Sequence, residues 1–192
     1  MPVYTYTTFD DPLNTSGDGT LASGINDTGQ IVGTYADASG VHGFLLSGGS
    51  YTTLDDPLAA HRTLALGIDD KGRIVGSYDN ASGRHGFLYN PSGGSYTTLD
   101  DPLATDGTEA FGINGNGQIV GRYFDASGTH GFLYSGGIYI TLDDPLATKV
   151  PMQLGSTIQA RSSGITPTLL APMVSLKSPC RTRRRPPPPP PI

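Results

Sequence analysis

Apolar residues in this chain come in short runs of four to seven, bounded by Gly, Asn, Asp and Ser. Within 109–143 the runs are "AFGIN", "QIVGRYF", "HGFLYS" and "YITLD". Each is rich in Ile, Val, Tyr, Phe and Thr, the residues that suit a pleated, half-buried strand. None reaches the ten or so residues of an ordinary helix. The links are of hairpin length: "GNG" at 115–117, with Gly where a tight turn takes positive φ, then "DASGT" at 125–129 and "SGG" at 135–137. One longer link, "DPLATDGTEA", carries Pro and is expected to leave the sheet. The pattern predicts a four-stranded antiparallel meander.

That meander recurs. "YTTFDDPL" begins at Tyr6, "YTTLDDPL" at Tyr51 and Tyr96, and "YITLDDPL" at Tyr139, in steps of 45, 45 and 43 residues. "GIN", "GID" and "GIN" begin at Gly24, Gly67 and Gly112, and "HGF" recurs at His42, His85 and His130. A four-stranded unit of about 40–45 residues is the size of a propeller blade. The expected fold is therefore all-β: a propeller-like array of three blades near 21–55, 64–100 and 109–143. An extra N-terminal strand, Val3–Phe9, comes from a preceding repeat. A β-trefoil is the structural alternative. Ile31, Ile74 and Ile119 alternate with Val32, Val75 and Val120 on each second strand, so stacked blades should bury both sets. Phe44, Phe87 and Phe132 are expected between blades. Propellers close with four to eight blades, so three leave open apolar end faces and predict a homodimer through them.

The charges split the chain. Residues 1–148 hold all 17 acidic residues and five basic ones (Arg62, Lys71, Arg73, Arg84, Arg122), a net of −12. Residues 149–192 hold seven Lys or Arg and no acid, a net of +7. The acidic part lacks the clustered Lys and Arg that phosphate binding needs, which argues against nucleic acid. Cys180 is the only cysteine, so neither an intrachain disulfide nor a cysteine metal site is available. No run of 18 apolar residues predicts a membrane span. The start "MPVYTYTTFDDP" is not a secretory signal, which places the chain in the cytoplasm if it is made as written.

The fourth "LDDPL" announces a repeat that does not follow. Read as though one base were lost in the codon for Lys149, the downstream codons permit "GTYAIGINDPGQIVGYYADASGTHGFL". That string falls in register with Gly107–Leu133 without a gap. Met152–Gln153 forces Ala at the equivalent of Ala110, and Met173–Val174 forces Gly at the equivalent of Gly131. Residues 149–192 are accordingly expected to be a non-native, frameshifted and disordered tail. Its ending, "RTRRRPPPPPPI", is then no binding site.

The stretch "GINDTGQIVGTYADASGVHGFLLSGGSYTTLDDP" at 24–57 resembles the HAF family of extracellular repeat proteins. That family is named for a His-Ala-Phe triplet, which is His-Gly-Phe in every copy here. The resemblance covers about residues 3–148. It implies a bacterial protein of the envelope or exterior with a longer array, and it brings no catalytic residues with it.

The acid pairs Asp10–Asp11, Asp55–Asp56, Asp100–Asp101 and Asp143–Asp144 sit where an outer strand leaves its blade. A meander puts that exit at the same end as the link carrying Asp37, Asn80 and Asp125. One end of the array is thus expected to be acidic, suited to sugar hydroxyls or Ca²⁺. The competing account is that each Asp before Pro caps a turn while its neighbour is solvated; this is the favoured one. The turns "NDTG", "DDKG" and "NGNG" read as turn chemistry, His42, His85 and His130 as structural histidines bonding a neighbouring loop, and His61 as surface. No nucleophile–base set and no phosphate loop is visible. The expected function is a non-enzymatic scaffold or binding module for a glycan or another surface component, with no obligatory cofactor. The alternatives are a fragment of a propeller-type glycosidase or lyase, and a decayed gene product.

Overall fold

The computed structural model describes residues 8–17 and 19–143. The chain divides into two units, Met1–Thr148 and Lys149–Ile192, and the description concerns the first. Of the expected strand Val3–Phe9 only the last two residues are described, and they are not in a strand. Asp144 and residues 149–192 lie outside the described residues.

All regular structure among the described residues is β. The first repeat comprises β1 (Leu21–Ile25), β2 (Ile31–Asp37), β3 (Gly40–Ser47) and β4 (Ser50–Leu54). The second comprises β5 (Arg62–Ile68), β6 (Ile74–Asn80), β7 (Gly83–Asn90) and β8 (Ser95–Leu99). The third comprises β9 (Gly107–Ile113), β10 (Ile119–Asp125), β11 (Gly128–Ser135) and β12 (Ile138–Thr141). Each repeat is a four-stranded antiparallel meander, its strands paired in chain order. One parallel bridge, Val41 with Arg62, joins the first two repeats into a single open sheet, and the third repeat is a sheet of its own.

The expected turns appear where glycine permits them: Gly29, Gly72 and Gly117 all take φ between 74° and 82°. The long link behaves differently from its expectation. Its last four residues, Gly107–Ala110, already belong to β9. Thr108 is fully buried and its hydroxyl accepts the Asp101 N–H at 3.1 Å, while Glu109 pairs with Arg122 across the sheet. The Pro-bearing half leaves the sheet and the polar half rejoins it.

Each inner strand carries a bulge at one place, opposite the "IVG" segment of the second strand. The extra residues are Ser23, Leu66 and Phe111. A bulge re-aims the backbone, and here it turns the carbonyl toward the preceding repeat. Leu66 O lies 3.1 Å from a Cβ built on Gly24, and Phe111 O lies 2.6 Å from one built on Gly67. The glycine of each "GIN" or "GID" is thus the seat of the next repeat's carbonyl, which explains why that position lacks a side chain.

Two joints bury the core. Val32 and Leu54 of the first repeat pack with Ala65, Ile74, Tyr78 and Phe87 of the second, and Val75 and Leu99 pack likewise with Ala110, Ile119, Tyr123 and Phe132 of the third. Phe44, Phe87 and Phe132 are all fully buried. Each lies opposite a glycine (Gly33, Gly76, Gly121), where a Cβ would come within 2.8 Å of the ring. The expectation that both faces of every second strand are buried holds for the middle repeat alone. Ile74 and Val75 are each 0 % exposed, Ile31 is half-buried, and Val120, whose face no described repeat covers, is 46 % exposed.

Candidate functional site

The acidic loop end assembles from two elements of each repeat: the hairpin after the second strand, and the exit after the fourth. In the first repeat Asp37 opens the hairpin. Its Oδ1 accepts the Ser39 N–H at 2.7 Å and the Ser39 hydroxyl at 2.6 Å, so an Asx turn fixes the loop. The His42 ring lies between hairpin and exit. Nε2 is 3.1 Å from Asp37 Oδ1 and 2.9 Å from Ser39 Oγ, and Nδ1 is 2.9 Å from Asp55 Oδ2. Tyr35 stacks on the ring with centroids 5.2 Å apart. The third repeat repeats this with Asp125, Ser127, His130 and Asp143. The second uses Asn80 in place of the first Asp, with Ser82, His85 and Asp100.

Hydrogen bonds from the Ser39 hydroxyl and amide, then the His42 ring, hold Asp37 down at about 2. The same set about Asp125, led by the Ser127 hydroxyl, holds it at about 2. Burial pushes the His42 imidazole down, but Asp55 and Asp37 together outweigh it and raise it. Asp143, against a smaller effect of burial and with help from Asp125, raises His130.

Ser39, His42 and Asp55 thus stand in the order of a nucleophile, base and orienting acid, a grouping the sequence reading had not found. Its only trace in the chain is the Ser-x-x-His spacing before each "GF". The proton inventory locks it instead of activating it. The seryl hydroxyl already donates to Asp37, and both imidazole nitrogens are engaged, Nδ1 with Asp55 and Nε2 with Asp37 and Ser39.

The second acid of each exit behaves as a cap. Asp11, Asp56 and Asp101 are buried, and their Oδ1 atoms accept the N–H of Leu13, Leu58 and Leu103 at 2.9 Å. Oδ2 of Asp56 and of Asp101 is buried without a hydrogen-bond partner, and burial raises the Asp56 carboxyl. The first acids are not simply solvated: Asp55, Asp100 and Asp143 stay about half exposed and bind the histidines. Asp10 is exposed, as is His61. Most of the predicted acids are therefore engaged within their own repeat. Among the described residues no three metal-ligating side chains converge on one point. Turn chemistry explains the opposite end: Oδ1 of Asn26, Asp69 and Asn114 each accepts two N–H or O–H groups of its own turn, and Asn26 Nδ2 reaches Asp69 O of the next repeat at 2.9 Å.

What repeat-to-repeat comparison hides is a feature present once. Arg62, Asp79, Arg84, Glu109 and Arg122 form a continuous chain of ion pairs from the second repeat into the third. Glu109 is buried between two guanidinium groups, and Asp79, held by Arg84 and Arg62, is shifted down against its burial. Arg122 also lies over the Phe111 and Phe124 rings, 5.2 and 5.0 Å from their centroids. Beside this chain an open cleft of about 590 Å³ separates the β6–β7 and β10–β11 hairpins. Asp79, Asn80, Asp106 and Asp125 line it with Arg84 and Phe124. A second depression of about 320 Å³ lies across Arg84 and Asp106 and reaches His85 and Asp100. The first repeat has Ala36 and Val41 where this cleft has Asp79 and Arg84. The signal available in the sequence was that all five basic residues of 1–148 fall within 62–122.

No protein-family model matches the chain, and no curated protein matches it. Among the described residues no helix is long and apolar enough to cross a membrane.

Proposed function

We propose that the chain is a non-enzymatic β-repeat binding module whose ligand is a glycan or a comparable polyhydroxylated surface component. The ligand occupies the cleft between the second and third repeats. The observation that carries this is the cleft itself: of ligand size, it is the place where acid and amide acceptors, a guanidinium and an aromatic ring converge. Sugars present hydroxyls in the ring plane and C–H groups on the face, which suits carboxylate and amide partners around an aromatic platform. The three-blade, propeller-like reading of the fold and an origin in an exported bacterial protein belong to the same proposal. The stacking of three like meanders about their inner strands supports the former. Ca²⁺ remains an optional contributor through Asp106 and Asp125. A glycan-array screen of the full chain, run with Ca²⁺ and with a chelator, tests the reading. Binding that Phe124→Ala and Asp106→Ala each abolish supports it. An empty array in both conditions, or binding indifferent to both variants, refutes it.

A further inference from the structure

The two internal joints are built alike, and the first and third of the described repeats each present half of a further joint. At a joint, the earlier repeat supplies a Val and a Leu: Val32 and Leu54 at 0 and 4 % exposure, then Val75 and Leu99 at 0 and 2 %. It also supplies the glycine that seats the next repeat's bulged carbonyl. The third repeat presents the same elements with no described repeat against them. Val120 and Leu142 are 46 and 53 % exposed, and a Cβ on Gly112 would meet only its own repeat's Val120 at 3.4 Å. Where the second repeat has Ser95 and Thr97 on this face, the third has Ile138 and Ile140, 65 and 50 % exposed.

The first repeat presents the complement. Ala22 and Ile25 stand where Ala65, Ile68 and Ala110 are buried at the internal joints, yet both are exposed, Ile25 at 67 %. With Ser23, Gly24 and Ile31 they line an apolar groove of about 330 Å³. Ser23 is that repeat's bulge residue, equivalent to Leu66 and Phe111. The outer half of the face is closed, since Tyr35, Phe44 and Leu46 are buried, so the open contact lies along β1 and β2.

We propose that a second copy of this chain docks head to tail, the β1–β2 edge of one seated on the third repeat of the other. The Ser23 carbonyl of one copy then takes the place over Gly112 that Leu66 takes over Gly24. Continuity with the two internal joints selects a second copy as occupant: each half-joint fits its opposite, and both are on one chain. Two such contacts related by a two-fold axis give six meanders, within the four to eight that close.

Sedimentation of the full chain at tens of micromolar tests this. The expected species has twice the 20.0 kDa chain mass. Gly112→Ala is the decisive variant, because its methyl makes only an ordinary van der Waals contact with Val120 in the monomer but obstructs the incoming carbonyl. Ile25→Asp interrupts the opposite half. Each should leave the thermal unfolding of the monomer unchanged and weaken self-association at least tenfold, and a mixture of the two should recover association through the one intact pair of faces. A wild-type monomer overturns the proposal. So does a dimer that survives both variants, or one that 1 M salt disperses while the variants do not, which would be a basic-tail contact. Larger open polymers overturn closure.

Discussion

Removal of the Phe87 ring strikes the joint between the first two repeats. The ring is fully buried, packs with Val32, Leu54 and Ala65, meets Tyr96 edge-on at 5.5 Å, and covers the backbone of Gly76. Burying a side chain of this size contributes about 1.5–3 kcal/mol, and a tilted aromatic pair adds about 0.5–1.5 kcal/mol. Two meanders held by strand ladders collapse little into the space left behind, so a cavity cost is added. Phe87→Ala should therefore lose about 3–5 kcal/mol. The assay is a urea titration with the slope compared between proteins, since an unchanged slope lets the midpoint be read as stability. Phe87→Leu, which keeps most of the volume, should lose about 1–2 kcal/mol and gives a measurable value if the Ala variant does not fold. A loss under about 1 kcal/mol for Phe87→Ala would show that the joint is not closed around this ring.

Gly76→Ala should be worse than its one added carbon suggests, because the methyl lands 1.8 Å from the Leu64 carbonyl; the expected result by circular dichroism is loss of the cooperative transition. Arg84→Ala leaves buried Glu109 with Arg122 alone and Asp79 with Arg62 alone, costing about 1–3 kcal/mol by urea titration. The histidine clamps should make stability pH-dependent: a folded value raised above the ordinary 6.5 for His42 and His130 stabilises below that pH and is lost as pH rises through the folded values. Asp37 and Asp125, at about 2, oppose acid unfolding until pH falls through that value. Urea midpoints from pH 5 to 9 should thus fall on the alkaline side, less so in a His42→Gln/His130→Gln double variant. The coding DNA beyond Thr148, read one base on, should yield GIN, GQIVG and HGF in that order; sequencing the locus decides it.

The meanders were legible because strand, turn and repeat signals coincide. Period-two apolar runs lie between glycine turns, and three copies average out local accidents. The end location of Asp37 and Asp55 followed from meander geometry alone. What those acids do was not legible, since the partner of each is a histidine five or thirteen residues away whose orientation depends on the Tyr35 stack. The bulges were equally invisible: Leu66 reads as one more apolar strand residue, and only the fold shows its carbonyl seated over Gly24. The start of β9 was misjudged because "DGTEA" resembles a loop until Glu109 finds Arg84 and Arg122.

Repetition itself bears on where recognition can lie. A residue present in every copy is answerable to the joint or the turn it builds, and the Ser–His–Asp clamp, completed by Asp37, Asn80 or Asp125, is engaged inside each repeat. Its recurrence follows from a structural demand made three times over. A recognition surface needs groups beyond that shared framework, and on this chain charged and aromatic groups accumulate where the copies differ. Asp79, Arg84 and Phe124 all occupy positions at which the first repeat has a different residue, Ala36, Val41 and Ala36 respectively, and all three line the same cleft. Divergence that leaves the joints intact while gathering charge and an aromatic ring at one opening is what a binding role demands of a repeat array, and it makes the unrepeated positions the ones to mutate first.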